Sequence, residues 1–142
     1  MENKQLYNIE DDVLIILSPE NFELTVKSDF TQSYFLQVFE FTILYYLSIT
    51  HPNAVEFKDF KHILNDLGLE YPGKKSFIIQ MNNFKNTLKS YGVKNIIVKI
   101  KDYGYIISNK WVAPELHTKV QRKQRLISHA KLLTPISSYT KS

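Results

Sequence analysis

The 142-residue chain has no cysteine, which excludes a disulfide scaffold, a thiolate zinc site and a cysteine nucleophile, and fits a reducing compartment. With only four glycines there is no glycine-rich phosphate loop, and no nucleophile-elbow pattern occurs. Arginine is missing from residues 1–121 altogether. No uninterrupted apolar run approaches the ~20 residues of a membrane span, and Met1-Glu2-Asn3-Lys4 does not open a leader of basic then apolar residues. A soluble, cytoplasmic protein is expected. His51, His62, His117 and His129 show no metal-ligand spacing, and the acidic pairs Asp11-Asp12 and Glu56/Asp59 have no supporting site. Neither a catalytic residue, a metal nor a cofactor is expected.

What is present suffices for one folded domain. At 44% hydrophobic and 13% aromatic the chain can bury a core, and 23% charged residues is ordinary for a globular protein. The charge is unevenly spread. Residues 1–30 carry two lysines against seven acids and residues 31–73 two against five, whereas residues 74–110 carry eight lysines against one acid and residues 111–142 six basic residues against one. A basic half beside an acidic half suits a face that meets a polyanion, although solvated lysines in a lysine-rich chain give the same tally.

Val13 to Leu17 is a short apolar run closed by Ser18-Pro19-Glu20-Asn21, and Phe22, Leu24 and Val26 then alternate with polar residues, which predicts an N-terminal hairpin. Leu36, Phe39, Ile43, Leu44 and Leu47 recur at helical spacing, predicting a first helix from Ser33 to Thr50 that His51-Pro52-Asn53 ends. A second helix is predicted over Val55–Asn65, and a third over Lys74–Tyr91 with Phe77, Met81, Phe84 and Leu88 as one stripe and Gly92 at its end. Ile96 to Ile107, turning at Asp102-Tyr103-Gly104, reads as a second hairpin. The fold class is therefore α+β: an N-terminal β-hairpin, a three-helix core and a C-terminal hairpin wing over residues 1–110. A basic extension over 111–142 follows, helical from Pro114 to Leu133 and frayed after it.

The segments Leu36–Leu47 with Glu40, Lys75–Leu88, and Ile96–Ile107 with the pair Gly104-Tyr105 together resemble the OmpR/PhoB/ToxR class of winged helix-turn-helix DNA-binding domains, over roughly residues 12–108. The resemblance implies a transcription regulator whose third helix enters the major groove of double-stranded DNA while the wing follows the minor groove. It also implies a second loop, here around Asp66–Glu70, that touches RNA polymerase in some members; a homodimer closed by residues 111–133 stays open beside it. Membrane-anchored members follow this domain with a spanning helix, which would concern this chain only if it were truncated before one. The usual arginines are absent: Asn82 and Asn83 stand at commonly basic positions.

On the side of the third helix away from its apolar stripe lie Lys75, Ser76, Ile79, Asn82, Asn83, Asn86 and Ser90. Ile79, Asn82, Asn83 and Asn86 are the base-edge candidates. Asparagine pairs with adenine and isoleucine meets a thymine methyl, so A·T-rich sites are expected in place of guanine readout. Lys74, Lys75, Ser76, Lys85 and Lys89 would meet phosphates, and Lys99, Lys101 and Tyr103 would serve the wing. Release of counterions by about five to seven lysines gives a slope of log affinity against log salt of roughly −5 to −6. The same residues have plainer readings: solvated asparagines, a turn tyrosine, and an Ile78-Ile79 pair that seeds a protein contact. A winged-helix protein-interaction or dimerisation module with weak DNA readout is the rival function. The phenylalanines Phe39, Phe57, Phe60, Phe77 and Phe84 are expected in the core rather than as a base-stacking platform.

Overall fold

A computed structural model describes residues 1–114. The basic helix expected beyond Pro114, and the tail after it, lie outside the described residues. Four consecutive strands, β1 (Lys4–Asn8), β2 (Val13–Ser18), β3 (Glu23–Lys27) and β4 (Thr31–Phe35), form an antiparallel meander. Alternation in β2 and β3 sets Val13, Ile15, Leu17, Leu24 and Val26 on one buried face, the period-two pattern of a sheet covered on one side. Asn8, 2% exposed, fastens the first turn by accepting the backbone N–H groups of Glu10 and Asp11 on Oδ1 at 2.9 and 3.0 Å. The Tyr7 hydroxyl donates to Asp12 across the same turn.

The expected N-terminal hairpin is thus the middle of a larger sheet. Ser33 to Phe35, expected to open the first helix, belong to β4, where Ser33 lies opposite Thr25 and Phe35 opposite Glu23. Helix α1 (Val38–Thr50) starts later because the Glu40 carboxylate accepts the Gln37 N–H at 3.1 Å, satisfying a donor that the helix cannot. That gives Glu40 a physical reason to stand where it does. Helix α1 packs against β1 and against a later strand, Gly104–Ile107. It buries Phe41, Ile43, Leu44, Tyr45 and Leu47, spread over more than one side as expected of a helix apolar on most of its surface.

Beyond α1 come β5 (Val55–Glu56), α2 (Phe57–Asp66), α3 (Lys74–Ser90), β6 (Ile97–Ile100), β7 (Gly104–Ile107) and β8 (Trp111–Val112). The second helix starts two residues later than expected because Val55 and Glu56 pair with Tyr105 and Gly104, making a three-stranded sheet in the order β5-β7-β6. Gly104 is required there. A Cβ on it would lie 1.8 Å from the Val55 carbonyl oxygen, inside any allowed contact. The core also runs past the boundary expected at residue 110. Asn8 and Tyr7 pair with Trp111 and Val112, so β8 becomes the fifth strand of the N-terminal sheet. The Trp111 ring is fully buried, and its Nε1 donates to the Lys94 carbonyl at 3.0 Å.

Phe77 of α3 is the hub between helices and hairpin. Its ring centre lies 5.1 Å from Phe60, 5.8 Å from Phe39 and 6.0 Å from Tyr105, in tilted and edge-to-face arrangements. Phe77, Met81, Phe84 and Leu88 are at most 1% exposed, which fixes the rotation of α3 and therefore which residues it turns to solvent.

Candidate nucleic-acid interface

At 100° per residue, Lys75, Ser76, Ile79, Asn82, Asn83, Asn86 and Ser90 fall within an arc of about 120° on α3, opposite the buried stripe. All seven are exposed, Ile79 by 55%. The four base-edge candidates therefore share one open face. The helix follows Gly73, whose φ of 97° suits glycine, with no side-chain cap and no acid in its first turn, so no side chain of its own satisfies its first N–H groups or offsets the positive end of its dipole.

The two flanks of this face differ. On the hairpin side a cleft of about 430 Å³ is lined by Lys85, Asn86 and Lys89 of α3 and by Asn95 and Lys99, and no carboxylate lines it. On the other side Asn83 lines a cleft with Gln80, Glu40 and Glu70. Cations gather where the helix meets the hairpin, and acids where it meets α1. Asn95, absent from the candidates above, enters the basic cleft from a left-handed conformation of φ 55°. The only signal for it was its place in the short link between Gly92 and β6.

The hairpin carries Lys99 on β6 and Lys101 and Tyr103 in its turn, all exposed, Tyr103 by 43%. The turn is fixed to the helical core, since Tyr103 accepts the Phe57 N–H on its carbonyl at 3.0 Å. Lys75, Lys85, Lys89, Lys99 and Lys101 make no ion pair among the described residues. Lys74 differs from the other lysines. Its ammonium sits 3.7 Å from the Asp102 carboxylate and 5.0 Å from the centre of the Phe57 ring. Asp66 and Glu70 in the loop before α3 are both exposed.

Among the described residues no group of three or more His, Asp or Glu side chains is placed to hold a metal, and no helix is long and apolar enough to cross a membrane. No protein-family model matches the chain, and no curated protein matches its sequence. Among solved structures it is similar to the DNA-binding domain of the response regulator AdeR, determined in complex with an intercistronic region. The TM-score is 0.57 at 9% identity, over 67% of this chain and 94% of that one. At that identity the likeness shows the fold, a winged helix with three helices and antiparallel sheets.

Proposed function

We propose that the protein is a cytoplasmic DNA-binding regulator, a binding domain and not an enzyme, that lays α3 in the major groove of double-stranded DNA with the β6–β7 hairpin on the adjacent minor groove. The observation that carries this reading is the exposed amide face of α3 flanked on its hairpin side by the acid-free cleft of Lys85, Lys89 and Lys99. Ile79, Asn82, Asn83 and Asn86 read base edges, with a preference for A·T-rich sites, each good pair discriminating by about 1–3 kcal/mol. Lys75, Ser76, Lys85, Lys89, Lys99 and Lys101 hold phosphates, with Tyr103 at the wing tip. The solved neighbour in complex with an intercistronic region supports the duplex as ligand.

Lys75→Glu together with Lys101→Glu should abolish duplex binding while leaving the fold intact, because both side chains are exposed. Unchanged affinity of that variant at low salt would reject the proposal. Selection from a random duplex pool tests base reading separately: enrichment of A·T-rich sequences is expected, and an unenriched pool would leave only backbone binding. The rival interaction module draws on the exposed Ile79, and it predicts a tight oligomer in gel filtration with no salt-dependent affinity for DNA.

A further inference from the structure

A groove of about 400 Å³ runs along α1 between the β2–β3 turn and the end of α2, and no residue of α3 or of the hairpin lines it. Phe22, Val38, Ile49 and Leu67 line it and are 38, 42, 49 and 56% exposed; Asp66 is the one charged side chain in the lining. Single exposed apolar residues are ordinary, but four gathered in one concavity mark a surface that something covers.

The position and charge of the chain's own continuation name the occupant. Pro114 lies in a cleft with Glu2, Ser48 and His51. Ser48 adjoins Ile49 on α1, and Tyr45, which lines the groove, donates its hydroxyl to the Glu2 carbonyl. Pro114, the last described residue, therefore sits in a cleft that adjoins the Ile49 end of the groove through Ser48. Residues 115–142 carry six basic residues and one acid, with Leu116, Val120 and Ile127 set among Lys119, Arg122, Lys123 and Arg125. Asp66 lines the groove, and the exposed Glu2, whose carbonyl accepts the Tyr45 hydroxyl, and Glu20, which follows Pro19, adjoin the lining, so these carboxylates outnumber the single amino group of Met1. A second copy presenting the same face would bring the same carboxylates and no added cations to pair with them. From Val38 to Ile49 the groove follows about 17 Å of helix, well within the reach of nineteen residues.

We propose that the groove along α1 is the docking site of this chain's own basic segment, residues 115–133, with Leu116, Val120 and Ile127 toward the apolar floor and the cations toward Asp66, Glu2 and Glu20. The segment is then an intramolecular cover and not an arm for DNA.

The absence of cysteine makes the test direct. In the full chain, Gln124→Cys carrying a nitroxide should erase the amide signals of Val38, Thr42, Ile49 and Leu67 at low protein concentration. Adding Ile49→Lys, a change at an exposed position that leaves the remaining spectrum in place, should restore them. Loss of signal on α3 and the hairpin, loss spread evenly, no loss anywhere, persistence of the effect in the Ile49→Lys chain, or loss that appears only on isotope-labelled chains mixed with separate spin-labelled chains would each overturn the proposal.

Discussion

Lys74, the first residue of α3, is held 3.7 Å from Asp102 in the hairpin turn, and its ammonium also lies over the Phe57 ring. The pair joins the start of the helix to the tip of the hairpin across 28 positions of sequence, and it occupies a cation expected to meet phosphate. Both side chains are more than half exposed, so the pair contributes little stability. Its consequence falls on binding: Asp102 is the only acid in residues 74–110, and it sits where DNA would approach.

Asp102→Asn should therefore tighten duplex binding and steepen the dependence of log affinity on log salt by about one unit, since one further lysine would release a counterion. Lys74→Ala should weaken binding less than Lys85→Ala does. A salt titration by fluorescence anisotropy measures both. An unchanged slope in Asp102→Asn would mean that Lys74 already reaches phosphate despite its partner.

Gly104→Ala should destabilise the domain by about 3 kcal/mol, because the new methyl would meet the Val55 carbonyl at 1.8 Å and push β5 off β7. Gly92→Ala is the control. There φ is 85° and no atom lies within 4 Å of the added carbon, so only the left-handed strain of about 1–2 kcal/mol remains. Urea unfolding of the two variants separates steric exclusion from backbone strain, and equal losses would contradict the geometry at Gly104.

The sequence made the third helix legible because its four-residue stripe settles which side is buried, and the amide face follows from that by subtraction. The strands at the sheet margins were harder to see. In β4 the residues Thr31, Gln32, Ser33 and Phe35 are all exposed, so no alternation marks them and only backbone pairing with β3 does. Helix α1 is apolar on nearly every side, yet Val38 and Ile49 face solvent, and in such a helix periodicity cannot say which side is left open. The partnership of Lys74 with Asp102 is a relation in space that no spacing rule encodes.

Trp111 shows what a boundary drawn from composition costs. Placed with the basic extension by its neighbours in sequence, it is fully buried and hydrogen-bonded to the Lys94 carbonyl. Trp111→Ala should cost about 3–5 kcal/mol. A chain ended after Ser108 should lose at least as much, because β8 goes with the ring. A chain ended after Pro114 keeps both and should melt cooperatively, and thermal unfolding of the three followed by circular dichroism would check that order.

The Tyr105 hydroxyl is buried in the aromatic cluster without a hydrogen-bond partner among the described residues. Burial, and secondarily the nearby Tyr71, push its pKa from about 10 up to about 12. The folded state then holds this proton where the unfolded chain has released it, so the contribution to stability is whole below pH 10 and is lost as pH rises from 10 to 12. Tyr105→Phe removes the stranded hydroxyl and keeps the ring contacts with Phe57, Phe60 and Phe77. At pH 7 the variant should be as stable as the parent or more so by about 1 kcal/mol. Between pH 10 and 12 it should lose less stability than the parent, although Tyr7 and Tyr45, which also titrate late, leave the variant some alkaline decline of its own. Urea unfolding at pH 7, 10 and 11.5 reads both differences. A variant less stable at pH 7 would show that the hydroxyl has a partner after all, and a parallel alkaline decline would place the proton elsewhere.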